Sequence, residues 1–168
     1  MKKITARAIA FTALGAAMVV VAQYFGQYIP EKLVRQLATG TLVNCVLLVF
    51  TLRVGVLSGV SIGVISAVLA GLLGISQPFL TPLVAGGNAL LCLLMWLLHA
   101  RLTYFPALLV AAAAKCAFLW VSVSLLLQKL NKPPKMIKML TTMFSWPQLI
   151  TALCGGVIAW LLWRKLPK

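Results

Sequence analysis

The sequence is nearly devoid of acidic residues. Glu31 is the only carboxylate among 168 residues, aspartate is absent, and 15 lysines and arginines give a formal net charge of +14. A carboxylate is the usual membrane-embedded carrier of protons or cations, and no apolar segment of this chain contains one. The sequence therefore predicts no ion coupling, and any energy that transport requires must come from elsewhere.

Groups for catalysis and metal binding are also scarce. Without aspartate no Ser–His–Asp set can form, and the single histidine, His99, has no neighbouring His, Asp or Glu with which to hold a metal. No glycine-rich phosphate loop followed by Lys-Ser/Thr is present, so the chain carries no motif for nucleotide hydrolysis. We expect no enzymatic activity, no cofactor and no metal site. The cysteines form no CxxC pair and are interpreted as small buried residues: Cys45, Cys92, Cys116 and Cys154.

Apolar residues dominate what is present. They make up 62% of the chain, and charged residues only 10%, against about 45–50% and about 25% in an average soluble domain. A spanning helix needs about 20 mostly apolar residues. We therefore predict an all-α membrane protein with a single integral domain over residues 1–168. The predicted domain is a compact bundle of six transmembrane helices at residues 5–28, 37–52, 54–73, 79–98, 104–127 and 140–163.

The distribution of cations predicts the orientation of the bundle. Met1-Lys2-Lys3 and the following apolar run resemble a signal peptide, but the run is longer than a typical signal core, which favours an uncleaved first helix. With six spans, eight cations fall on the side of the termini and six on the other, so both termini are expected in the cytoplasm. The basic residues flank apolar segments without forming a patch, which is typical of lipid contact and not of nucleic-acid binding.

The polar connector at residues 128–138 then faces outward and carries four lysines. A surface of one charge sign raises the local concentration of anions. Contact with anionic headgroups is the simpler interpretation. Both remain open for Lys129, Lys132, Lys135 and Lys138.

Lys115 is the one cation in the middle of a predicted span, within the sequence AAAAKC. An ammonium at membrane depth is costly and indicates a functional site by default. Both ends of its helix are about ten residues away, too far for the side chain to reach water. Because no internal carboxylate exists, its partner is expected to be backbone, water or a bound ligand. An anionic ligand group suits it best.

Four other polar or aromatic residues are candidates for the same site. Asn88 follows two glycines, a pattern of close helix approach or a local break, although an interhelical hydrogen bond explains it equally well. Trp146 and Gln148 surround a proline at the start of the last span and offer a stacking face and an amide. A membrane-interface aromatic belt is the alternative for Trp146. Gln77 and Asn44 are weaker candidates.

The first predicted helix carries small residues on one face, at spacings of four, three and four. In lipid such a face lets another helix approach closely. Packing inside this bundle and docking of a separate membrane subunit are both compatible with it. The residues are Ala6, Ala10, Ala13 and Ala17.

These features together resemble the substrate-binding S components of energy-coupling factor (ECF) transporters. The resemblance rests on six short helices in under 200 residues, the alanine-faced first helix, and residues 82–98, PLVAGGNALLCLLMWLL. Residues 144–156, FSWPQLITALCGG, are similar to helix six of uncharacterised members. The alanine spacing departs from the strict every-fourth-residue pattern of that family.

The resemblance implies a multi-pass subunit of a bacterial cell membrane that captures a small micronutrient, such as a vitamin or related anionic metabolite, from outside. It implies that the alanine face meets a membrane T subunit and that two cytosolic ATPases supply the energy. It places Asn88, Lys115, Trp146 and Gln148 in the pocket. Two alternatives stay open: a scaffolding subunit of cell-envelope assembly without a pocket, and an intramembrane enzyme or lipid-handling protein, against which the missing acid, base and metal groups count.

Overall fold

The computed structural model describes residues 5–165, and this part of the chain is helical with no strands. The predicted spans reappear as helices, with one additional short helix before the last. A single 3-10 turn, Pro78–Leu80, precedes the fourth helix. The helices are α1 Ala6–Gly26, α2 Lys32–Arg53, α3 Val56–Leu72, α4 Thr81–His99, α5 Tyr104–Lys129, α6 Pro134–Met143 and α7 Trp146–Lys165.

Within residues 5–165, five helical segments are long and apolar enough to cross a bilayer. α3 has 17 residues, which at about 1.5 Å per residue falls short of the usual spanning length. The membrane-bundle architecture is thus confirmed, while the count of six spans remains a prediction. The five segments are Ala6–Gly26, Lys32–Arg53, Pro78–His99, Tyr104–Lys129 and Pro134–Lys165.

Two boundaries differ from the sequence-based prediction. α2 begins five residues before the predicted start at residue 37 because Glu31 caps it: its carboxylate accepts a hydrogen bond from the backbone N–H of Val34 at 2.6 Å. The predicted span 140–163 is divided, since the helix breaks between α6 and α7, and Pro147 lies in the first turn of α7. The connector at residues 128–138 is therefore partly helical.

Two hydrogen bonds show the relative direction of α2 and α7. Gln36, near the start of α2, donates to the carbonyl of Met143 just before α7, at 2.5 Å. Arg53, which ends α2, donates to the carbonyl of Trp163 near the end of α7. α2 and α7 therefore run parallel and side by side.

The same contacts distinguish two ends of the bundle. The Arg53 end contains the α2–α3 connection, the end of α7 and, across a cleft, the start of α1 at Thr5. The α6 end contains α6 and the 3-10 turn, since Leu140 and Leu80 belong to one hydrophobic cluster. Which end faces the cytoplasm stays a prediction, since it depends partly on Lys2, Lys3 and Lys168, which lie outside the described residues.

α1 lies at the edge of the bundle. Only Gly15, Val19 and Gly26 of its residues are buried, and its packing partners are α2 and α3. Two polar contacts hold it to α3: the hydroxyls of Thr12 and Ser58 are 2.8 Å apart, and Gln23 donates to Ser66 Oγ at 3.1 Å. The remaining faces of α1 are free for lipid or for another protein.

Candidate functional site

Lys115 lies at the centre of the bundle with only 3% of its surface exposed. Its ammonium donates to Asn44 Oδ1 at 2.6 Å and to Asn88 Oδ1 at 2.8 Å. The partners expected from the sequence were backbone, water or ligand. The structure instead supplies two side-chain amides, one from α2 and one from α4.

Each amide is itself held by a second bond. Asn44 Nδ2 donates to the hydroxyl of Thr151 on α7 at 3.2 Å, and Asn88 Nδ2 donates to the carbonyl of Gly63 on α3 at 3.2 Å. The Thr151 hydroxyl in turn donates a hydrogen bond to the carbonyl of Gln148 at 3.0 Å. Because both amide nitrogens are engaged as donors, both amide oxygens are turned toward the ammonium. One polar network thus joins α2, α3, α4, α5 and α7.

Glycines let the helices approach closely enough for this network. A Cβ at Gly63 would lie 2.8 Å from Asn88 Cβ, and one at Gly155 would lie 2.9 Å from Asn44 Cβ. Real Cβ atoms do not come so near, so a larger residue would push α3 from α4, or α7 from α2. Small residues at these crossings therefore set the positions of both amides.

The ammonium has no negative partner. The only carboxylate of the chain, on Glu31, caps α2 at the surface. An ammonium has three N–H donors, and among residues 5–165 only the two amide oxygens accept from Lys115. When Lys115 is charged, one N–H therefore has no acceptor among these residues. A buried cation in this state attracts an anionic oxygen, which would supply both the missing acceptor and the missing charge.

The other predicted binding residues lie apart from Lys115. Trp146 is 46% exposed at the start of α7, and Gln77 is exposed in the α3–α4 connection. Gln148 is half-buried and joins the network through its backbone carbonyl. The structure therefore brings together Lys115 and Asn88, adds the weaker candidate Asn44, and leaves the side chains of Trp146, Gln148 and Gln77 outside this contact.

Sequence reasoning missed Thr151 and Gly63. Thr151 is fully buried, and a hydroxyl within an apolar span is itself a signal of an interhelical hydrogen bond. Gly63 contributes only its backbone carbonyl, which no side-chain pattern reveals.

Two open clefts flank α1, and neither is lined by a predicted substrate-binding residue. The larger, of about 810 Å³, lies between α1 and α3 at the Arg53 end, and the smaller, of about 230 Å³, lies between α1 and α2. Lys115 lines neither cleft. The ammonium is thus enclosed by packed helices in this structure, and a ligand reaches it only if the bundle opens.

The alanine face of α1 points away from the bundle. All four of its alanines are exposed, and one of them, Ala13, lines the larger cleft. These four side chains therefore do not pack inside the bundle, which was the simpler of the two interpretations. The face consists of Ala6, Ala10, Ala13 and Ala17.

Searches with the sequence and the structure found no matching protein-family model, curated protein or solved structure.

Proposed function

We propose that this chain is the substrate-binding subunit, or S component, of an ATP-driven ECF-type importer in a bacterial cell membrane. Its cargo is a small micronutrient, a vitamin or related metabolite that carries an anionic group. One observation carries the proposal: among residues 5–165 the charged Lys115 at mid-bundle has one N–H without an acceptor, and the one acidic side chain of the chain, Glu31, caps α2 at the surface. An anionic ligand group resolves both deficiencies.

Two further features support a receptor that depends on other subunits. No phosphate-binding loop occurs in the sequence, so ATP hydrolysis would belong to two cytosolic ATPase subunits. The exposed alanine face of α1 offers a surface that a helix of a membrane T subunit can approach closely. The assignment of the ATPases and of the T subunit follows from the resemblance. An external source of energy also agrees with a chain that has no ion-carrying carboxylate.

The closed network favours a second candidate. Five helices are joined around Lys115, and neither cleft beside α1 reaches it. The same contacts suit a scaffolding subunit of cell-envelope assembly, in which the lysine serves only to fasten helices together. The importer subunit should copurify with a bound small molecule, whereas the scaffolding subunit should not.

Mass spectrometry of the purified protein separates them. The full chain is purified in mild detergent, denatured, and the released small molecules are compared with those from Lys115→Met and from Lys138→Met, a control on an exposed lysine. The importer is supported if an anionic metabolite accompanies the wild type and the control in near-equal molar amount and is absent from Lys115→Met. A wild-type protein that folds without any such metabolite, even after growth in rich medium, favours the scaffold.

A further inference from the structure

The short helix α6 has two sharply different faces. Leu140 is buried, and Met136 and Ile137 are half-buried against it. The opposite face is exposed and consists of Lys135, Lys138, Met139 and Thr142. Such a division, with a cationic outer face, is typical of a helix that lies in the plane of a membrane interface.

Packing holds α6 against the end of the bundle. Its buried face joins a cluster with Leu80 of the 3-10 turn and with Val123 and Leu127 of α5. Pro134 occupies the first helical position, where its missing N–H costs nothing. This cluster lies at the C-terminal end of α5 and near the N-terminal end of α7. If α5 and α7 span the bilayer, α6 therefore lies at the level of the lipid headgroups.

The charge of the outer face is not compensated by the protein. No acidic residue occurs anywhere after Glu31, and Glu31 caps α2 through the N–H of Val34. Lys132 adds a further cation nearby, with its ammonium 5.6 Å from the centre of the Phe79 ring. An anion from outside the chain is therefore the natural partner of this surface.

Apolar atoms on the same face indicate where that anion comes from. Met139 is 49% exposed on this face, next to Lys138 and one turn after Lys135, and Leu130, in the α5–α6 connection, is 45% exposed. A soluble phosphate would gain nothing from these side chains, whereas lipid acyl chains would cover them.

We propose that the outer face of α6 binds anionic phospholipid headgroups, with phosphates on Lys135 and Lys138 and with Met139 against the upper acyl chains. This face prefers anionic over zwitterionic lipid, and the bound lipid keeps α6 packed against its hydrophobic cluster. This inference does not depend on the cargo of the protein or on the partners of α1.

Trp146, exposed at the start of α7 and close in sequence to α6, can report on the neighbouring lipid. In a full-length variant with the other four tryptophans replaced by phenylalanine, its fluorescence is measured in bilayers of phosphatidylglycerol and phosphatidylcholine. One lipid at a time is brominated as a quencher. Brominated phosphatidylglycerol is expected to quench beyond its mole fraction, and more weakly as salt is raised. A cooperative unfolding transition verifies that the variant is folded.

The decisive comparison replaces the two lysines by Lys135→Gln and Lys138→Gln. The preference for the anionic lipid should fall about fivefold per lysine removed. The matched control, Arg101→Gln with Lys165→Gln at the Arg53 end, should leave it unchanged. Equal quenching by both lipids in the parent, or an undiminished preference in the glutamine variant, overturns the proposal. Loss of the preference on adding inorganic phosphate, but not chloride at equal ionic strength, would assign the site to free phosphate and also overturn it.

Discussion

The bond between Lys115 and Asn88 should be visible as an energetic coupling. The perturbation is Asn88→Leu, made once in the wild-type protein and once in Lys115→Met. In the wild type, leucine removes the acceptor at 2.8 Å from the ammonium and the donor to the Gly63 carbonyl. In the methionine background only the bond to Gly63 is lost, because no ammonium remains.

The difference between the two backgrounds isolates the charged bond. Hydrogen bonds to charged groups contribute about 1.5–3 kcal/mol, whereas neutral interhelical bonds in membranes average about 0.6 kcal/mol. We expect Asn88→Leu to lower the free energy of unfolding by about 2–4 kcal/mol in the wild type and by about 1 kcal/mol in Lys115→Met. Lys115→Met alone should cost less than Asn88→Leu, because it removes the buried charge together with its bonds.

Equilibrium unfolding in mixed micelles, followed by circular dichroism, measures these free energies. The matched cycle pairs Asn88→Leu with Lys138→Met on the exposed face of α6, and its two effects should add to within about 0.5 kcal/mol. Additive effects in the Lys115 cycle as well would refute the reasoning, since they would mean that the ammonium and the amide do not stabilise each other.

Three further predictions follow from other contacts. Glu31→Ala should lower the free energy of unfolding by about 1 kcal/mol through loss of the α2 cap, while Glu31→Gln, which keeps an acceptor, should cost less; chemical denaturation compares them. Gly155→Ala should destabilise by roughly 1–3 kcal/mol because its Cβ would lie 2.6 Å from the carbonyl oxygen of Thr41, while Cys154→Ala on the neighbouring exposed position should change little. If α1 docks a T subunit, Ala10→Phe should leave thermal unfolding unchanged and abolish copurification of the T and ATPase subunits.

The sequence was sufficient for the features that the bilayer dictates. Charge scarcity and the lengths of the apolar runs predicted the helical membrane architecture, because lipid satisfies no backbone polar group outside a helix. The same constraint made Lys115 conspicuous, and the glycines before Asn88 indicated a close helix approach. The structure places both residues in one hydrogen-bonded contact.

Features that depend on packing between distant segments were not predictable. Thr151 is 107 residues from Asn44, its partner in the network, and no local pattern encodes that pairing. α6 has only 10 residues and begins at the second of two prolines in a lysine-rich stretch, so its first half was interpreted as part of a polar connector. Leu140 of α6 shares a hydrophobic cluster with residues of α5 and the 3-10 turn, and these contacts exist only once the bundle is assembled.

Calorimetry with the copurified anion and with its uncharged amide or ester analogue tests most directly whether Lys115 recognises negative charge. The wild type and Lys138→Met should bind the anion at least about tenfold more tightly than the analogue, a difference of about 1.4 kcal/mol, and Lys115→Met should bind both weakly and alike. Equal affinity of the wild type for the two molecules, or full affinity of a folded Lys115→Met protein for the anion, would contradict the account.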